Sequence, residues 1–192
     1  SSGLPGQWMS HQIDTVHWFS GLKHPRSCVA NGGIYGWKDG RENWDTITAV
    51  FDYGPENDLK SGFQVTFSSR MDNGEDAPKE LYYSKGGEMN LNTNMVSSFG
   101  GLTEKHAKAM GMEANMLPEM SLKKVEEKVE TGANTGGDNL TSNHMKNWME
   151  CVRSRKETNA PVEAGYSHAI ACIMANAAAR TGTKVTFDEA KQ

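Results

Sequence analysis

The sequence predicts an α+β fold: a mainly antiparallel open sheet with helices packed on one face. Two segments, residues 46–53 and 61–69, alternate in polarity as strands with one packed and one polar face do. Apolar residues recur at helical spacing over residues 8–20 and 143–155, near the two ends of the chain. Two short strand-like runs flank Lys85-Gly86-Gly87, which has the composition of a hairpin turn. With 192 residues the chain is long enough for one core and needs no disulfide or metal to fold. It is read as a single domain over residues 1–192.

Each element has its own signal. Over residues 8–20, Met9, Ile13, Val16, Trp18 and Phe19 make the apolar stripe of a helix, and Gly21 supplies its stop. Residues 28–37 read as a strand interrupted at Gly32 and Gly33, and residues 38–43 as a polar turn. In the next strand Ile47, Ala49, Phe51 and Tyr53 share a face. In the one after it, Phe63, Val65 and Phe67 do. Residues 81–84 and 88–91 form the hairpin. Residues 100–140, with the charged run 123–130, read as an insertion or long loop. Met145, Trp148, Met149 and Val152 stand at i, i+3, i+4 and i+7, which predicts a helix over 143–155. Pro161 opens the next helix, Tyr166, Ala169, Ile170, Ile173 and Ala177 are its apolar face, and Gly182 ends it. Residues 184–187 read as a closing strand.

Composition removes several classes of function. The net charge is -4, and the 20 Lys and Arg are dispersed, so no basic face for nucleic acid is expected. The longest apolar run, 169–179, is broken by Asn176 and is too short to span a membrane, so no membrane partner is expected. Cys28, Cys151 and Cys172 have no framework or metal spacing and read as buried, reduced thiols. The chain opens Ser-Ser-Gly-Leu-Pro-Gly with no secretory leader and enters a helix within ten residues, as a piece cut at a linker would.

Few motifs carry chemistry. No GxGxxG fingerprint is present, and the stretch Gly132–Gly137 lacks the lysine and spacing of a phosphate loop. Asn139-Leu140-Thr141 matches the glycosylation sequon, a triplet common by chance. His24, His106, His144 and His168 are scattered and predict no metal site. The string His11-Gln-Ile-Asp14-Thr15-Val-His17-Trp18 is more informative. On a helix His11, Asp14, Thr15 and Trp18 share a face, where a carboxylate can fix one imidazole nitrogen and leave the other poised for proton transfer. The same spacing also suits a purely structural pair. His17 lies six residues from His11 and points elsewhere, so the two cannot form an i, i+4 metal pair.

Three ordered blocks carry a family resemblance. They are Trp8-Met-Ser-His11-Gln-Ile-Asp14-Thr-Val-His17-Trp18-Phe-Ser-Gly21, then Gly32-Gly-Ile-Tyr-Gly-Trp37-Lys-Asp-Gly-Arg-Glu-Asn-Trp-Asp45, and His144-Met-Lys-Asn-Trp148-Met-Glu-Cys-Val-Arg-Ser-Arg155-Lys. The last is followed by an Ala-rich helix and Arg180-Thr-Gly-Thr-Lys-Val-Thr-Phe-Asp188. Together they resemble the C-terminal domain of Gfo/Idh/MocA oxidoreductases, over nearly the whole chain and weakest across residues 100–140.

The resemblance implies a substrate and assembly domain whose partner is an N-terminal Rossmann domain, absent from this chain, holding NAD or NADP and the family's Glu-Lys-Pro lysine. No cofactor is expected in the fragment itself, nor dehydrogenase activity. His11 matches the family's proton-transfer histidine, with Asp14 as its orienting partner. His17, Lys38, Asp39 and Arg41 are candidates for the rim of a sugar or polyol site. Gln7 departs from the pattern, because relatives often carry an acidic residue four positions before this histidine. The implied assembly is a homo-oligomer through the sheet, and the family's range covers both cytoplasmic and exported proteins. The reading that competes is a non-catalytic dimerisation or carbohydrate-binding module, which Gln7 favours.

Overall fold

Two antiparallel four-stranded sheets organise the protein, each within its own compact unit: residues 1–74 with 142–192, and residues 75–141. A computed structural model describes residues 2–74, 79–122 and 139–188. The charged run 123–130 and the Gly132–Gly137 stretch lie outside the described residues.

In the first unit a π-helical turn, Pro5–Met9, runs straight into helix α1, Ser10–Ser20. Pro5 fits this start because its missing N–H has no helical partner to lose. Gly21 ends α1 in the left-handed region (φ 69°), its N–H donating to His17 O at 2.8 Å, as the sequence predicts. Strands β1 (Ser27–Gly33), β2 (Thr46–Tyr53) and β3 (Phe63–Arg70) follow. β1 pairs with β2 from Ser27↔Asp52 to Gly33↔Thr46, and β2 pairs with β3 from Thr46↔Arg70 to Tyr53↔Phe63. β8 (Val185–Thr186) closes the other edge on β1, giving the order β3-β2-β1-β8.

The predicted inner face of β2 is the core. Ile47, Ala49, Phe51 and Tyr53 are all fully buried, and Cys28 stands opposite Phe51 on β1. Met9, Ile13 and Val16 of the first helix and the small residues of α4 (Val162–Thr181) complete the packing. The opposite face carries Thr48 and Ser68, joined across strands at 3.0 Å, with Asn31 and a half-exposed Val29. Arg26 fastens the turn between β2 and β3. Its guanidinium makes a two-pronged bond to Asp52 at 2.9 and 3.0 Å and also reaches the carbonyls of Tyr53, Pro55, Asp58 and Ser61.

One expectation is corrected at α4. The buried side is Ser167, Ala171, Cys172, Met174, Ala175 and Ala178, whereas Tyr166 and Ile173 of the predicted face are 50% and 62% exposed. The middle of this helix is apolar all round, so periodicity does not choose a side. Close approach to β1 does, and it selects alanines over branched side chains. Helix α3 (Asn139–Ser154) forms where predicted, but its stripe of Met145, Trp148, Met149 and Val152 is exposed, and Cys151 is its buried residue among those described. The three cysteines are free and buried.

The second unit holds β4 (Leu81–Ser84) and β5 (Gly87–Asn90), the predicted hairpin, then β6 (Met95–Ser97) and β7 (Met120–Ser121) in that spatial order. The short helix α2 (Glu104–Ala109) lies between β6 and β7 within the stretch expected to be irregular, and the Thr103 side chain caps it. Val96 and Ala107 are its buried apolar residues among those described.

Phe51 sits at the centre of the first unit's core. Phe51→Ala is expected to cost about 3–5 kcal/mol, seen as a lower urea midpoint at an unchanged slope.

Candidate functional site

The first helical segment has two chemically different sides. Gln7, His11, Asp14 and Trp18 follow one another along its exposed side, and Trp18 is 81% exposed. No hydrogen bond joins His11 to Asp14. The Asp14 carboxylate instead faces α4, with Oδ1 3.7 Å from His168 Nδ1. That nitrogen is closed off from solvent and has no hydrogen-bond partner.

His17 lies on the inner side of the same helix. It is buried, and its Nε2 meets the Tyr53 hydroxyl at 2.9 Å, with the two rings edge to face. Burial pushes its pKa down to about 4; Asp14 opposes the shift, and the His168 and His24 imidazoles add to it. Burial also raises the Tyr53 phenol and pushes the Cys28 thiol up to about 12. The structure therefore places His17 in the core, as a neutral imidazole, rather than on a rim.

The loop between β1 and β2 is built around Asp45. This carboxylate is fully buried and accepts from the backbone N–H groups of Tyr35 (3.0 Å), Gly36 (2.9 Å) and Trp37 (2.9 Å), and from the Thr46 hydroxyl (3.0 Å). The N–H donors favour its charged form and hold its pKa near 2, Trp37 contributing most. Trp37 Nε1 donates to Met71 O at 3.1 Å, which ties the loop to the end of β3. At the tip, Arg41 Nε and Nη2 donate to the two Asp39 oxygens at 2.8 and 2.7 Å, while the guanidinium lies 4.7 Å over the Trp37 ring. That pairing pulls Asp39 down to about 2. Lys38 turns back on its own loop, Nζ to Ile34 O at 3.3 Å.

Between this loop and the start of the helix lies an open cleft of about 220 Å³, lined chiefly by Gln7, Asp39, Arg41, Asn43, Trp44 and Met71. Of the sequence-predicted rim residues, Asp39 and Arg41 reach it. Lys38 and His17 do not line it, and His11 stands one helical turn beyond Gln7. Asn43, Trp44 and Asp45 lie within the second resemblance block but carry no chemical signal of their own in the sequence. Gln7 stands out only as a departure from the family pattern, and His168 has no local signal.

No dinucleotide cradle is present among the described residues. Gly32-Gly33 ends a strand, Gly86-Gly87 turns a hairpin, and Gly100-Gly101 leads to a helix of only six residues. No cluster of metal-ligating side chains occurs among them either, and no described helix is long and apolar enough to cross a membrane.

Comparison with solved structures decides the fold. The chain shares its fold with about half the length of each of two solved structures that carry oxidoreductase names. A candidate oxidoreductase, yvaA from Bacillus subtilis, matches over 97% of this chain and 51% of its own, with 13% identity and a TM-score of 0.55. A second candidate oxidoreductase, from Bacteroides fragilis, matches over 97% and 54%, with 15% identity and a TM-score of 0.55. This chain thus spans about half the length of the structures it resembles. The agreement is in fold alone. No family model and no curated protein matches the sequence.

Two predictions follow from this geometry. His17 binds its proton more weakly when folded (about 4) than when unfolded (about 6.5), so the unfolded chain takes up more protons between those values. Stability is expected to fall as pH drops through that window, by about 3 kcal/mol in all. Urea midpoints against pH read this out, and His17→Gln should flatten the slope. Asp45→Asn places amide hydrogens against the loop's N–H donors. Hydrogen exchange at Tyr35, Gly36 and Trp37 should then quicken roughly tenfold or more, while β2 keeps its protection.

Proposed function

We propose that this chain is the substrate-binding and assembly half of an NAD(P)-dependent oxidoreductase acting on a sugar or polyol. The observation that carries the reading is the join between two facts. The His11-x-x-Asp14 block lies on an exposed helical side next to a polar cleft, and the chain shares its fold with about half the length of solved structures that carry oxidoreductase names. NAD or NADP, and with it the redox chemistry, is assigned to a Rossmann half of the kind the sequence resemblance implies.

This chain's part is proton movement and placement. The exposed His11 imidazole takes the proton of the reacting hydroxyl in oxidation and returns it in reduction. Asp14 lies one turn further along the same side. It is assigned as a negative charge beside the site, and its contact with His168 keeps it turned toward α4. Gln7, in the place of the carboxylate that relatives often carry, supplies hydrogen bonds but no second base. The polar outer face of the β3-β2-β1-β8 sheet, with Thr48, Ser68 and Val29, is the surface assigned to pairing with further copies.

His11→Ala is expected to lower kcat by roughly 100-fold or more in the enzyme that carries both halves, with the dissociation constant for NADH unchanged. Unchanged turnover would refute the assignment. Titrating the 192-residue chain with NADH, followed by nicotinamide fluorescence, should show no saturable binding. Saturation would place the cofactor site here and overturn the division of labour.

A further inference from the structure

The cleft beside the β1–β2 loop has unengaged polar groups and no net charge. Gln7 and Asn43 bring amide side chains with no hydrogen bond among the described residues, and Trp44 brings an indole N–H in the same state. Arg41 directs Nε and Nη2 to Asp39, which leaves Nη1 without a partner among the described residues. The two charges that line the cleft are therefore bound to each other, at 2.7 and 2.8 Å, before any ligand arrives. The indole of Trp44 is set by the strand beneath it. A Cβ on Gly32 would stand 2.9 Å from that ring and 2.2 Å from Thr46 O, so the glycine lets the ring lie close on β1.

We propose that this cleft is the subsite for one neutral, hydroxyl-rich ring, and that the Asp39–Arg41 pair is the device that rejects anionic sugars. The inference rests on the proposed function and narrows its substrate class. Recognition follows from the groups present. Hydroxyls both donate and accept, which matches amides, an indole N–H, a carboxylate edge and a free guanidinium nitrogen. An aromatic ring gives the C–H face of a sugar an apolar surface. A sugar acid or sugar phosphate needs a cation not already neutralised, and here the guanidinium is held by its own carboxylate and braced over Trp37. The volume, about 220 Å³, is below the usual range for larger ligands and suits a single ring.

The test uses the 192-residue chain with four probes: myo-inositol, D-glucose, D-glucuronate and D-glucose 6-phosphate. Binding is followed by saturation-transfer NMR and tryptophan fluorescence. A neutral ring of this size is expected to saturate at about millimolar concentration, with the two anions at least about fivefold weaker. Trp44→Ala should weaken the neutral ring roughly tenfold while the circular-dichroism melt stays cooperative. Asp39→Asn frees the Arg41 charge and should bring the anions to within about twofold of the neutral ring, or below it. The proposal is overturned by no saturable neutral binding, by anions binding as well as neutral rings in the unaltered chain, or by indifference to Trp44→Ala. These outcomes are separate from the turnover test. Neutral binding beside an unaffected His11→Ala enzyme would sink the catalytic assignment alone, and a dead His11→Ala enzyme beside a silent cleft would sink this subsite alone.

Discussion

Asp45 closes a knot on which the candidate site depends. Its carboxylate takes three loop N–H groups and the Thr46 hydroxyl. Its own N–H donates to Gly33 O at 3.1 Å, and its carbonyl accepts from Met71 N at 2.8 Å. One residue thereby joins the end of β1, the start of β2 and the end of β3. A buried charge is unfavourable unless its lone pairs are taken, and here they are taken by donors that would otherwise be orphaned in the loop. The loop conformation and the ionised carboxylate stabilise each other. Trp37, Asp39, Arg41 and Trp44 are placed by that mutual requirement, because their backbone lies within or beside the segment Asp45 gathers.

The other constraint is the small-residue contact between α4 and β1. Ala171, Ala175 and Ala178 are fully buried, with Cys172 beside them donating its Sγ–H to Pro5 O at 3.1 Å. Alanine surfaces allow the helix to approach the strand closely, and the first helix then fits against the same face through Ile13 and Val16. The position of His11 on one side of that helix and His17 on the other follows from this packing. So does the contact of Asp14 with His168, since α1 and α4 lie side by side.

Much of this was legible in the sequence because it obeys a single period. The alternation of Ile47, Ala49, Phe51 and Tyr53 specifies a half-buried strand, and Gly21 and Gly182 specify left-handed helix ends; all appear as read. The side of α4 was not legible, because a helix apolar on every side carries no preferred direction until a neighbour supplies one. The role of Asp45 was not legible for another reason: its donors come from backbone, which any residue provides, so no side-chain pattern marks them. Arg26 is the same kind of case, since four of its acceptors are carbonyls. In the site, spacing alone placed His11 and Asp14 on one side of a helix. It did not show that Asp14 turns toward His168, because that partner lies 154 positions away.

His11 and His17 show how one helix gives one residue type two environments. Both stand on one helix, six residues apart. His17 loses its water, meets the Tyr53 hydroxyl and is held neutral down to about pH 4, so near neutrality it cannot exchange a proton with a substrate. His11 lies exposed on the other side, as the proton transfer proposed for it requires. Asp14 lies on the exposed side yet opposes the shift at the buried imidazole, so its charge is felt in the core. A change at Asp14 therefore reaches the core through His17 and the α1–α4 contact through His168, and any effect on chemistry at this position must be read against folding.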